Sequence, residues 1–242
     1  MATQEFDELN LFGMATKWID KVDVSDEEKK KRVNLAMDYC EIMIMLFFMI
    51  TEEDYEREDC IAFAEERIKI LAERELGTEN IAYINDWAPK KATEIVDTTY
   101  EKYENEIEDA ILDDGETSNQ EDGQEKEHKQ NILNFKELGV EIPEDEYWLS
   151  RVRALFVGLE LSMTVCNFEE LNDAMKEGKT RKTWMTEADE RVRETHQALH
   201  GVDIPINEFF TVGNSQMLMP GDSLNGAELS EIANCRCHLV CH

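Results

Sequence analysis

A long polar segment divides the chain. Residues 113–130, DDGETSNQEDGQEKEHKQ, contain no apolar side chain, so they cannot bury enough apolar surface to offset the entropy lost on folding. This segment is either a linker or an exposed loop. With 242 residues, the chain could form one large domain or two units of about 100 residues each, and we favour two. We therefore predict an acidic helical domain at 1–112, a polar linker at 113–130 and a second domain at 131–242.

The part before the polar segment has the pattern of helices. Ser25, followed directly by three acidic residues, is typical of a helix N-cap because carboxylates suit the positive end of the helix dipole. Apolar residues continue from there to Ile50. Two further amphipathic helices are predicted at 51–77 and 79–112, with a break or kink in the second at Pro89. The first half should be a helical bundle or hairpin.

One apolar run in this half bears on the membrane question. Residues 42–50, IMIMLFFMI, are apolar without interruption, but a membrane span needs about 20 such residues. We expect no membrane crossing, and we expect this helix to be covered by other helices or by a partner.

The net charge restricts the class of partner. The chain carries 55 acidic and 25 basic residues, a formal charge of −30. Residues 129–242 contribute only −8 of this, so the negative field belongs mainly to the helical half. Such a field repels nucleic acid and anionic membranes. The one local basic cluster, KTRK at 179–182, supports at most a weak, local contact with DNA.

The second half begins as helix and then changes character. Pro143, followed by acidic residues, is typical of a helix start, and helical patterns continue to a stop at Gly178. From Lys182 onward the chain is rich in turn formers and short apolar pairs, which favours short strands or ordered loops around small helices. The fold class is therefore α+β and mostly helical, with a small turn-rich α+β C-terminal domain.

The six cysteines fall into two groups. Cys40, Cys60 and Cys166 lie among apolar residues and are predicted to be core thiols of a protein from a reducing compartment. The other three lie in the last nine residues, NCRCHLVCH. This cluster is open to several interpretations: a metal site, a redox site, a disulfide, or the edge of an ordinary domain.

A segment upstream offers partners for this cluster. Residues 186–201, TEADERVRETHQALHG, are predicted to form a short capped helix, on which His196 and His200 would share one face. Together with Cys235 and Cys237 they supply the four nitrogen and sulfur ligands of a tetrahedral zinc site.

An alternative needs no metal. His196 would then hydrogen-bond a buried acid or a backbone carbonyl, His200 would be a cation at a helix C-terminus, and the cysteines would be small core residues. A disulfide between Cys235 and Cys237 is disfavoured, because neighbours on an extended segment point their side chains apart. His238, Cys241 and His242 are substitute ligands.

These residues resemble a known signature. The order of a lysine and tryptophan, a D-x-R-V-R segment, a histidine, a glycine, a PGD turn and a closing NCRC resembles the C-terminal domain of the phage head-morphogenesis (Mu-F-like) minor head proteins. The matching positions cover about 60 residues of this chain; besides the candidate metal ligands they are Trp184, Asp189, Arg191, Arg193, Gly201, Pro220, Gly221, Asp222 and Asn234. A looser similarity to the region that precedes the signature involves Arg153, Glu160, Asn167 and Ala174.

The resemblance implies a function in a virion. It implies a minor head protein that acts at the portal vertex in head assembly and in packaging or ejection of the genome. The implied partners are the portal protein and other head or scaffold proteins. The implied location is the inside of the head near the portal, and the host cytoplasm during assembly.

Sequence motifs of enzymes are absent from this chain. The spacings H-x-x-x-H and C-x-C differ from the H-x-E and C-x-x-C of zinc deaminases, and no P-loop or G-x-S-x-G is found. A zinc ion with four protein ligands has no open position for water. We therefore expect a structural protein; the alternative is a zinc-dependent enzyme or a nucleic-acid-handling module of the virion.

Overall fold

The computed structural model describes residues 10–52, 54–112, 147–189 and 191–242, with only the backbone for 104–112. These residues form long helices followed by short antiparallel strands, so the predicted α+β, mostly helical class is confirmed. The helices are α1 (Leu11–Ile19), α2 (Asp26–Thr51), α3 (Arg57–Leu76), α4 (Ile81–Leu112), α5 (Arg151–Lys176), α6 (Glu194–Gln197) and α7 (Leu229–Ile232). The strands are β1 (Arg181–Met185), β2 (Val202–Pro205), β3 (Phe210–Val212), β4 (Ser215–Met217) and β5 (His238–Cys241).

Helix starts follow side-chain caps. The Ser25 hydroxyl accepts a hydrogen bond from the Glu28 N–H at 3.2 Å, which confirms the predicted start of α2. α3 begins later than predicted, because Glu56 and Asp59 form a capping box. α5 begins where Ser150 accepts from the Arg153 N–H at 3.1 Å. The helix start predicted at Pro143 lies outside the described residues.

The first hydrophobic core contains residues from both sides of the polar segment. α2 and α5 pack closely, and an ideal Cβ built on Gly158 of α5 would lie 2.4 Å from the Ala36 carbonyl oxygen of α2. Tyr147, Trp148 and the first half of α5 share this core with α1–α4. Residues 113–130 lie outside the described residues, and the predicted division into domains stays a prediction.

Charged side chains are also buried between these helices. The Arg153 guanidinium lies over the rings of Phe47 and Trp148, 5.1 and 4.8 Å from their centroids. The Lys91 ammonium is fully buried and contacts Glu160 at 2.7 Å and Glu94 at 3.2 Å.

α2 meets the length and composition of a membrane span. Its most apolar window has a mean hydropathy of 1.7, and half of that window is buried inside the protein. A core helix of a folded domain meets the same criteria, and the expectation of no membrane crossing stays a prediction.

The C-terminal strands form two small sheets. β1 lies between β2 and β5, antiparallel to both, with Trp184 opposite Val202 and Leu239. β3 and β4 form a hairpin. The second core under these sheets includes Leu171 and Ala174 of α5, so α5 reaches into both cores.

Candidate metal centre

Three side chains converge beside Trp184 of β1, the central strand of the three-stranded sheet. His196 lies in α6, and Cys235 and Cys237 lie in the loop between α7 and β5. The His196 Nδ1 atom is 3.4 Å from the Cys237 sulfur and 3.6 Å from the Cys235 sulfur. All three side chains are buried. Their ligand atoms lie within 4.8 Å of one another, so this cluster could hold a metal ion.

The backbone of the loop places both thiols on one side. Asn234 has a φ of +57°, a left-handed conformation that asparagine tolerates better than most residues. The Cys235 N–H donates to the Ile232 carbonyl at 3.2 Å, and the Arg193 guanidinium donates to the Ala233 carbonyl. The turn therefore directs Cys235 and Cys237 inward together.

A buried carboxylate orients the imidazole. The Glu231 Oε2 atom is 3.1 Å from His196 Nε2 and also accepts a hydrogen bond from the Thr195 hydroxyl at 2.8 Å. A carboxylate only accepts, so the imidazole proton belongs on Nε2 and the Nδ1 lone pair faces the two sulfurs. Histidine ligands of metals are usually held by a carboxylate or carbonyl in this way.

The pKa values of the two thiols are shifted in opposite directions. A hydrogen bond from Cys237 lowers the pKa of Cys235 well below its usual value; burial opposes this, and His196 and Arg193 add to it. The same hydrogen bond, together with burial, raises the pKa of Cys237. By contrast, burial raises the pKa of the core thiols Cys40 and Cys166 to about 12. One thiolate is therefore easily formed at the cluster.

The structure does not bring His200 to the cluster. Its Nδ1 atom accepts from the Thr186 N–H at 3.2 Å and lies 3.0 Å from the Thr186 hydroxyl. The helix predicted at 186–201 is wrong, because only Glu194–Gln197 is helical. Ala188 has a φ of +51°, so the chain turns before α6. The helix then ends at Gln197 and continues in i→i+3 turns, with the His200 N–H donating to the Gln197 carbonyl, so the i, i+4 relation between the two histidines is lost.

Asp189 pairs with an arginine of the cysteine loop. On a continuous helix Asp189 and Arg193 would be i, i+4 neighbours, but Asp189 instead binds Arg236 at 2.7 and 2.8 Å. The Arg191 N–H donates to the Asp189 carboxylate at 3.2 Å. Asp189 therefore joins the turn before α6 to the loop that carries the cysteines.

Trp184 borders the cluster. Its ring lies edge-on to the His196 ring, with centroids 5.4 Å apart. Its buried indole N–H meets no oxygen or nitrogen acceptor among the described residues, and it lies close enough to the Cys237 sulfur to favour the thiolate. Trp184 is fully buried and belongs to the second core.

The remaining signature positions shape the backbone. The Gly201 N–H donates to the Trp184 carbonyl at 2.8 Å, with a positive φ at Gly201. Asp222 accepts from the N–H groups of Leu218 and Leu224 at 2.8 and 3.0 Å, as expected for an aspartate in a turn. A Cβ on Gly221 would lie 2.4 Å from the Thr164 hydroxyl of α5.

Asn167 links α5 to this arrangement. Its amide donates to the Pro220 carbonyl and to the Cys237 carbonyl, each at 3.1 Å. Sequence reasoning did not assign a role to Glu231, Glu187 or Arg236. Arg236 is part of the NCRC motif, but no local pattern marks Glu231 or Glu187, and each of the three acts through a partner at least 35 residues away.

Comparison with known proteins gives no match. No protein-family model, curated protein or solved structure matches this chain.

Proposed function

We propose that the protein is a minor head protein of a phage, acting at the portal vertex in head assembly and genome packaging or ejection. The observation that carries this proposal is the convergence of the signature residues. Trp184, Arg193 and Asn234 surround the three metal-capable side chains, and the PGD turn is held to the same place through Asn167. Residues that are spread over about 60 positions of the sequence thus contact one another in one small region of the fold. This is typical of the signature of a domain.

The cluster fits zinc in a structural role. Zinc bonds of about 2.3 Å to sulfur and about 2.0–2.1 Å to nitrogen, at a tetrahedral angle, place the two ligand atoms about 3.6 Å apart. The observed nitrogen–sulfur distances are 3.4 and 3.6 Å. The ion would pin the C-terminal loop to α6 and thereby stabilise a core made of short strands.

The size of the cavity favours structure over catalysis. The cavity beside the cluster is about 20 Å³, which is enough for about one water molecule. Sites for small-molecule substrates are typically about 300 Å³ or larger. The enzyme alternative would need the surrounding loops to open.

The basic cluster at 179–182 offers little to DNA. Lys179 pairs with Glu177 at 3.2 Å, and Arg181 pairs with Asp203. Lys182 is buried and donates to the Leu218 carbonyl at 2.7 Å. These cations are already neutralised or enclosed, which supports a protein partner rather than a nucleic-acid module.

The N-terminal half offers an apolar surface for such a partner. Met45 and Phe48 are 56% and 62% exposed on α2, and their i, i+3 spacing puts them on one face. Exposed large apolar side chains in contiguous positions often mark protein contacts. We expect this half, rather than the C-terminal region, to make the main contact with the portal assembly.

Particles produced from the genome that encodes the chain provide the test. Quantitative mass spectrometry should find a few copies per particle, and an asymmetric reconstruction should show the protein at one vertex inside the head. A full-length Met45→Ser, Phe48→Ser variant should lose co-purification with portal assemblies, whereas Lys179→Ser should keep it. Absence from particles, or one copy per capsid subunit, would contradict the proposal.

A further inference from the structure

A buried carboxylate near the cluster has one oxygen that makes no hydrogen bond to the described residues and only a long contact, 3.7 Å, with His238 Nδ1. Glu187 lies two residues after β1, and its side chain is 6% exposed. Its Oε1 atom has no hydrogen bond among the described residues. Burying a charged oxygen without a partner is costly, and such an atom usually has a ligand, an ion or a proton.

Glu187 shares a cavity with the three metal-capable side chains. The void of about 20 Å³ is lined by Glu187, His196, Cys235 and Cys237, among others. This carboxylate and the sulfur and nitrogen donors thus border one small space. Two arginines, Arg191 and Arg236, also line this void and would offset the negative charge of a site with two thiolates and a carboxylate.

Other candidates for a fourth ligand are engaged elsewhere. His200 is bonded to Thr186, and Glu231 holds the far nitrogen of His196. His238 Nδ1 lies 3.7 Å from the Glu187 carboxylate, and His238 is not among the residues that line the void. His238 is therefore placed to support Glu187 rather than to replace it.

We propose that Glu187 is the fourth ligand of a metal site completed by His196, Cys235 and Cys237. This inference rests on the proposed zinc site. The Glu187 carboxylate lies outside the set of atoms within 4.8 Å of one another, so its side chain turns inward when the ion binds. A carboxylate oxygen binds zinc at about 2.0–2.2 Å and completes a tetrahedron with two sulfurs and one nitrogen. Four protein ligands leave no position for a water, in agreement with a structural role.

Full-length variants with zinc test the assignment. Zinc content is measured after purification without added metal, and affinity is measured by competition with a chromophoric chelator. The wild type should carry about one zinc per chain, and Cys235→Ser with Cys237→Ser should carry none. Glu187→Gln and Glu187→Ala should each lower the zinc affinity at least tenfold, while His200→Ala should stay within twofold of the wild type.

Cobalt substitution provides a second readout that a purely structural effect would not produce. In Glu187→Ala the fourth position is open, so added acetate should change the Co²⁺ ligand-field spectrum and raise the metal affinity again. The wild-type spectrum should not respond to acetate. Wild-type affinity in Glu187→Gln, or a tenfold loss in His200→Ala, would overturn Glu187 as the ligand while leaving the zinc site intact. A wild type without zinc, or a cysteine variant that keeps it, would overturn the zinc site itself and the inference with it.

Discussion

Replacing Gly158 with alanine should destabilise the protein by about 2 kcal/mol, although alanine is the better helix former. Gly158 lies in α5 where this helix crosses α2. An added Cβ would lie 2.4 Å from the Ala36 carbonyl oxygen and 2.9 Å from the Cys40 nitrogen. Because Cβ atoms essentially never approach other atoms closer than 3.0 Å, the helices would have to separate by at least about 0.6 Å.

The magnitude follows from two opposing terms. Overpacking a core costs about 1–3 kcal/mol, and the upper end applies because the obstacle is backbone that cannot rotate away. The gain in helix propensity from glycine to alanine is about 1 kcal/mol. The difference is about 2 kcal/mol, which for a chain of this size lowers the Tm by about 4–8 °C.

Thermal and urea unfolding, followed by circular dichroism at 222 nm, measure this effect. Met175→Ala on the same helix is the control, because Met175 is 41% exposed and a surface change of this kind is usually within about 0.5 kcal/mol. An unchanged or higher stability in Gly158→Ala would show that α2 and α5 are farther apart than the structure has them.

Three further predictions concern charged groups. Lys91→Met should destabilise the protein by about 3 kcal/mol in urea unfolding, because it leaves the partly buried carboxylates of Glu160 and Glu94 without their cation. Adding Glu160→Leu should recover much of the loss, and no recovery would contradict the pairing. Burial lowers the pKa of Lys182 from 10.5 to about 8, so between these two values the unfolded state binds more protons than the folded state. The unfolding free energy of the wild type, relative to that of Lys182→Met, should therefore increase as the pH is raised from about 8 to about 10.5. A pH-independent difference in unfolding free energy would contradict this. Fluorescence anisotropy at about 150 mM salt should detect no micromolar binding to duplex DNA, and a micromolar Kd with a steep salt dependence would contradict the charge argument.

The helices were predictable from the sequence because their signals are local. A serine cap with acids behind it set the start of α2, and the structure has the helix begin at Asp26. The exact start of α3 was not predictable, because the capping box of Glu56 and Asp59 competes with the earlier TEED pattern at 51–54. The packing of α5 on α2 was not predicted, because the apolar pattern of a helix indicates which face is buried but not which other helix buries it.

The cluster of three side chains that could hold a metal ion was predictable in part for a related reason. His196, Cys235 and Cys237 were correctly grouped, because histidine and cysteine are rare and their spacing limits the options. His200 was wrongly added, because the pattern suggested a helix that continues to Gly201, whereas α6 ends at Gln197. A periodic pattern can indicate which side chains would share a helix face. It cannot indicate that the Thr186 N–H and hydroxyl form hydrogen bonds with His200.

Asn167 explains why the cysteine loop has one conformation in spite of its few regular hydrogen bonds. The large first core holds α5 in place. The side-chain amide of Asn167, on this helix, donates to the Pro220 and Cys237 carbonyls. Two loops that are distant in sequence are therefore fixed to the same helix. A buried carbonyl left without a donor costs about 1–3 kcal/mol, which penalises any movement of either loop away from the helix. The position of Cys237 is therefore set by the helical core before any ion binds. Because a preorganised ligand loses less entropy on binding, α5 would add to the metal affinity of the proposed site although it supplies no ligand.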